Sequence, residues 1–95
     1  MLCGGWNETS ELSEEQYDLA LSLKGDIEAA VGAAYEHFVP VKIRQQVVAG
    51  MNYWVKYQVG EADYVHAKIF KPLPHTGQPA NLVEAHPGKT LEDQL

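Results

Sequence analysis

At Pro40 the hydrophobic period of this chain changes from that of a helix to that of strands, and few folds accommodate that order. Before it, Leu19, Ala20, Leu23, Ile27, Ala30, Val31, Ala34 and Phe38 recur at three- and four-residue steps, which gathers them on one stripe. Ser13 followed by Gln16 reads as a capping box, with Glu14 and Glu15 placed to favour the positive end of the helix dipole. The helix is predicted to reach about Tyr35 or His37 before Pro40 excludes more. Gly25 and Gly32 inside it each cost about 1 kcal/mol relative to Ala.

After Pro40, side chains alternate. Val41, Ile43, Gln45 and Val47 continue from Val39; Tyr53, Val55, Tyr57 and Val59 follow; then come Val65, Ala67 and Ile69. Leu82 and Val83 are a short, weaker candidate for a further strand. One helix followed by hairpin-linked strands implies an α+β domain, the helix packed on one face of an antiparallel sheet. Ninety-five residues suit a single domain, 1–95, with one core.

Charge narrows the partners. The chain carries a formal charge of −6, and its Lys and Arg are not gathered into a patch, so a nucleic-acid partner is disfavoured. Its acids crowd the first third, and Lys42, Arg44, Lys56, Lys68 and Lys71 lie on the strands. That pattern predicts a solvated acidic helix face and a basic outer face of the sheet. One cysteine, Cys3, makes no internal disulfide, and the first residues lack the basic and apolar runs of a signal peptide, so a reducing compartment, the cytosol, is expected. Asn7, Glu8 and Thr9 fit a glycosylation sequon that has no meaning there. No apolar stretch approaches the roughly 20 residues of a membrane span, so no membrane partner is expected. His37, His66, His75 and His86 show no ligand spacing, and neither a metal, a cofactor nor a catalytic residue is assigned.

The tip of the first predicted hairpin is unusual. Gln46, Val47, Val48, Ala49 and Gly50 occupy a turn that Gly, Asn, Asp, Pro or Ser would ordinarily build, and they present apolar side chains to water. Exposed apolar tips mark partner sites. In an up-and-down meander alternate turns fall at one end, so this tip and the turn at Leu73 and Pro74 coincide, whereas residues 60–63 turn at the other. A helix antiparallel to the first strand starts near the same tip, which draws residues 1–12 towards it. Three apolar segments then converge into a wedge suited to a groove.

Gly4 after a short apolar start, the long helix, the 46–50 hairpin, the strand at residues 64–70 and the loop Leu73, Pro74, His75 together resemble the stefins, the intracellular single-domain branch of the cystatins. The resemblance implies a cystatin-like fold, one long helix on a twisted antiparallel sheet of four to five strands. It implies a reversible, competitive, tight-binding inhibitor of papain-like, cathepsin-like cysteine proteases, not an enzyme. Leu2, Cys3 and Gly4 would take the non-primed side of the protease cleft; Gln46, Val47, Val48, Ala49 and Gly50, with Leu73, Pro74 and His75, would take the primed side. It further implies a monomer when active and a dimer that exchanges domains through the Val48 turn. After Val83 the chain departs from the stefin pattern, which leaves the final strand and C-terminal contact undefined. Two other readings stay open: a cystatin-like module that meets no protease, and a small α+β enzyme with a pocket between helix and sheet, using His66 or Asp63.

Overall fold

The computed structural model describes residues 9–95. Two helices, α1 (Glu14–Ser22) and α2 (Lys24–Val31), precede strands β1 (Val39–Val48), β2 (Gly50–Gln58), β3 (Tyr64–Pro72) and β4 (Asn81–Lys89). The strands lie in the order β1-β2-β3-β4, each antiparallel to the next. This is the α+β arrangement that the change of period implies.

The capping box forms as predicted. Ser13 N–H donates to Gln16 Oε1 at 2.9 Å and Gln16 N–H to Ser13 Oγ at 3.2 Å, which satisfies two donors that a helix start leaves open. The other end of the helix departs from expectation. Ser22 Oγ bonds back to the Leu19 carbonyl at 2.6 Å, a local competition that bends helices, and Leu23 interrupts the helix there. Gly32 then adopts φ 74°, its N–H and that of Ala33 both donating to the Glu28 carbonyl. This left-handed cap ends α2 at Val31, several residues before the predicted Tyr35 or His37. Ala30 and Ala34 are consequently exposed rather than on a buried stripe. Phe38 is buried, but from outside the helix, its ring stacked 4.4 Å from that of Tyr57.

The core lies between the helices and one face of the sheet: Ala20, Leu23 and Ile27 against Ile43, Val55, Tyr57, Val65, Ala67 and Ile69. Full burial contributes about 1.5–3 kcal/mol for each of the larger aliphatic side chains. Tyr57 OH, deep among them, donates to the Ala20 carbonyl at 2.9 Å, and burial pushes its pKa well above the ordinary tyrosine range.

Two strand expectations need correction. β4 is a full strand of nine residues rather than a short run at Leu82 and Val83; it holds Pro87 because it is the edge strand, where a missing N–H costs no ladder bond. The outer face is not simply solvated either. Residues 90–95 fold back over it, and Lys56 and His66 are buried, only 5% and 4% exposed.

Candidate functional site

The end of the sheet that carries the β1–β2 turn gathers most of the residues singled out from sequence. Val48 pairs with Gly50, leaving Ala49 alone at the apex, and Gly50 in turn pairs with Pro72 of β3. Leu73 therefore begins its loop directly beside the hairpin tip. Val47 and Leu73 are 44% and 39% exposed, large apolar side chains held in water. With Val48, Gly50 and Met51 they line a shallow cleft of about 230 Å³.

What holds a turn of two valines and an alanine is tertiary. Gly50 has φ 125°, and a Cβ built on it would stand 2.5 Å from the Lys71 carbonyl oxygen and 3.2 Å from the Phe70 ring. Only glycine lets the hairpin lie this close to β3. Beneath the tip, Asn52 Nδ2 donates to Gln46 Oε1 at 3.0 Å across the two strands. The second loop is closed by its own threonine: Thr76 N–H and Oγ1 both donate to the Leu73 carbonyl, at 3.1 and 2.8 Å, making one 3-10 turn over Pro74–Thr76. His75 is exposed on that turn.

Helix α1 starts at this end, as the topology argument requires. Gln16 Nε2 donates to Gln45 Oε1 at 3.1 Å, and Glu15 lies 3.8 Å from Lys71. Burial, then the charge of Glu15, raises the Tyr53 hydroxyl above its usual pKa at the floor of the cleft. Ser10 exchanges both backbone hydrogen bonds with Ile43 in an antiparallel bridge. Read towards the N-terminus, the backbone at Thr9 and Ser10 thus heads for the Val48 end. Leu2, Cys3 and Gly4 lie outside the described residues.

Sequence reasoning passed over Asn52, Phe70 and Lys71, which position the tip without being part of it. A signal existed for the first, since a hairpin centred on Ala49 sets Asn52 opposite Gln46. Nothing local marks Phe70, whose ring meets Gly50 only once β3 is beside β2.

The residues of the enzyme reading do not form a site. Asp63 is exposed in the far turn. His66 points away from the core that Val65 and Ala67 enter, and burial, then the nearby charges of Lys56 and Lys89, lowers its pKa to about 4. Among the described residues no cluster of three or more His, Cys, Asp or Glu side chains could hold a metal ion, and no helix is long and apolar enough to cross a membrane.

The cystatin domain model matches residues 26–91, which take in all but the first two residues of the second helix and the entire sheet. The chain belongs to the cystatin family. Membership identifies it as a protease inhibitor rather than an enzyme. Its relatives point to the stefin type. It is 38% identical over 95 residues to Cystatin-A1 of Sus scrofa, covering 100% of this chain and 92% of that one. It is 38% identical over 92 residues to Stefin-C of Bos taurus, covering 97% and 91%. With Cystatin-B of Homo sapiens it shares 33% identity over 95 residues, covering 100% and 97%. The alignments to Cystatin-A1 and Cystatin-B each extend over 95 residues and 100% of this chain, and so include the segment after Val83 that the resemblance left undefined.

Proposed function

We propose that this cystatin inhibits papain-like, cathepsin-like cysteine endopeptidases reversibly and competitively, by wedging an apolar edge into the active-site cleft. The observation that carries the reading is the placement of Val47 and Leu73, from two different hairpins, as exposed apolar neighbours around one cleft. Val48, Ala49, Pro74 and His75 would extend this edge, with Gln46 and Gly50 as its frame. Leu2, Cys3 and Gly4 would form the third contact, reached along the direction that the Ser10 bridge gives the chain. A relative in Sus scrofa named Leukocyte cysteine proteinase inhibitor 1, 38% identical over 95 residues, supports the protease class.

The mechanism is occlusion. A cysteine protease cleaves when a scissile carbonyl lies in near-attack geometry beside the thiolate. A wedge that fills the cleft from both sides without placing a carbonyl there blocks substrate and is not itself cut. The tip is already fixed by β3, so little conformational freedom is lost on docking and apolar contact converts efficiently into affinity. The proposed setting is a reducing, cytosolic one.

Titration of active papain with the protein tests this. Stoichiometric loss of activity, recovered on displacement and leaving the inhibitor chain intact, is the expected result; full papain activity at a large molar excess overturns it and leaves the module that meets no protease. The active form is proposed to be the monomer. Two valines are poor turn formers, and opening the Val48 turn into one continuous strand would let the helices and β1 of one molecule pack on the remaining strands of another. That dimer would lose the tip. Size-exclusion chromatography in dithiothreitol after heating to just below the melting midpoint should reveal it, and a dimer with full inhibitory activity would refute the exchange through this turn.

A further inference from the structure

The last residues of the chain are held to the sheet chiefly by a lysine that stands in a row of basic side chains. Residues 90–93 form a closed turn, in which Thr90 N–H donates to Asp93 Oδ2 at 2.8 Å and Asp93 N–H to the Thr90 carbonyl at 3.2 Å. Lys56 Nζ, itself 5.9 Å from the centroid of the Tyr64 ring, caps this turn by donating to the Leu91 and Asp93 carbonyls, both at 2.6 Å. Farther on, Arg44 Nη1 donates to the Leu95 oxygen at 2.9 Å. Across the same face Lys42, Lys56, His66 and His86 stand opposite one another on β1, β2, β3 and β4. We propose that the turn is an acid-released latch: a proton taken up by His66 lifts residues 90–95 from the sheet while the core stays folded.

The docked state has no place for that proton. His66 is 4% exposed and its Nε2 has no hydrogen-bond partner among the described residues, whereas both nitrogens of an imidazolium are donors and a buried donor needs an acceptor. Like charges directly opposite on neighbouring strands repel. Lys56 faces His66 from β2, and the charges of Lys89 and His86 on β4 act in the same sense. Glu84 already holds His86 Nε2 at 2.7 Å. Over the ring, the segment brings the Asp93 carboxylate, which favours a charged His66; the Thr90 N–H keeps that carboxyl below its usual range, so it stays ionised while the histidine titrates. Burial outweighs it, and the docked ring has a pKa of about 4. Of the walls around His66, the segment is the one that can move. Residues 90–94 are all exposed, Leu91 by 58%, so lifting them brings little new apolar surface into water. The turn can carry its own two hydrogen bonds with it. Once it is lifted, water reaches His66 and Lys56, and the ring regains its ordinary affinity for a proton. The released state therefore binds the proton more tightly, and acidification between pH 6.5 and about 4 favours release.

The latch lies on a face of the sheet, apart from the tip, and is independent of the reading of that tip as a protease wedge. NMR of the full chain, titrated from neutral pH down to about 4, tests it. The His66 ring protons should titrate above pH 4, and in the same step the backbone amides of residues 91–95 should shift and their heteronuclear NOE fall to that of a free chain end. The amides of Tyr57, Val65 and Ile69 should keep their dispersion throughout. His66→Gln, which has no proton to take up, should hold the segment down over the same range, which separates release by histidine from release by the carboxyls. Lys56→Met keeps the aliphatic stem but removes the anchor, so the segment should be free already at neutral pH and His66 should titrate at least about one pH unit higher than in the native chain. A segment that stays docked down to pH 4, or that stays docked in Lys56→Met, overturns the proposal. So does release at the same pH in His66→Gln, titration of His66 beneath a docked segment, or loss of the core amides in the same step.

Discussion

The two ends of the sheet turn the chain by opposite means. At the far end Val59 and Gly60 donate their N–H groups to the Asp63 carbonyl, at 2.9 and 3.2 Å, and Glu61, Ala62 and Asp63 face water. That turn satisfies itself with local hydrogen bonds. At the near end the turn is built from Val48, Ala49 and Gly50, and its support is borrowed from β3 through the Lys71 carbonyl and the Phe70 ring. A chain able to make the first kind of turn has no structural need for the second. Under the proposed function, the exposed apolar tip would be the surface kept for the protease.

The contrast breaks if the tip tolerates charge. Val48→Asp should weaken papain inhibition by at least about a hundredfold, since an unpaired carboxylate in an apolar cleft is strongly disfavoured. In the free protein the half-exposed site makes the change cheap, about 1 kcal/mol or less. A normal melting curve with normal inhibition would show that the tip is not the wedge.

Exchanging the two glycines sharpens it. Gly50→Ala forces a Cβ to 2.5 Å from the Lys71 oxygen at φ 125°, so the hairpin must move; a cost of about 1–3 kcal/mol and roughly tenfold weaker inhibition are expected. Gly60→Ala meets only the Asp63 Cβ at 3.2 Å, and should cost under about 1 kcal/mol with inhibition unchanged. Thermal melts and papain titrations of both variants decide the matter; equal effects would mean that the near turn is not held by β3.

Deleting residues 1–3 tests whether the wedge extends beyond the hairpins. Dissociation from papain should quicken by a few-fold to about tenfold with little change in association, because contacts added to a docked interface act mainly on the off-rate. Identical off-rates would remove Leu2 and Cys3 from the site.

A last effect concerns stability alone, at neither end. His66 has a pKa of about 4 in the folded chain against an ordinary 6.5, so between these pH values the unfolded chain binds more protons. Stability should be independent of this group above the ordinary value, fall as pH drops through the interval, by on the order of 1–3 kcal/mol, and level off below it. Denaturant melts of the native chain and of His66→Gln across that range give the comparison, and parallel pH profiles would refute the assignment.

Much of this was legible from one sequence because the signals are local. Ser13 and Gln16 announce the helix start, the change of period at Pro40 announces the sheet, and counting the strands of a meander brings Val48 and Leu73 to one end. The helix end was misplaced because Gly32 reads as a mere cost within a helix until its left-handed conformation is seen. β4 was under-read because Pro87 and Gly88 mask a strand that an edge position permits.

The sequence by itself determined the α+β order, the polar and apolar ends of the sheet, and the set of apolar tip residues, since each depends on neighbours within a few positions. Only the tertiary structure decided that β3 props the Val48 turn through Phe70 and Lys71, and that Lys56 and His66, which alternation places on a solvated face, are buried beneath residues 90–95. The physical reason is separation along the chain: a lysine on a strand and a carbonyl thirty-five residues later have no local pattern in common, and their bond exists only because the fold returns the chain across its own sheet.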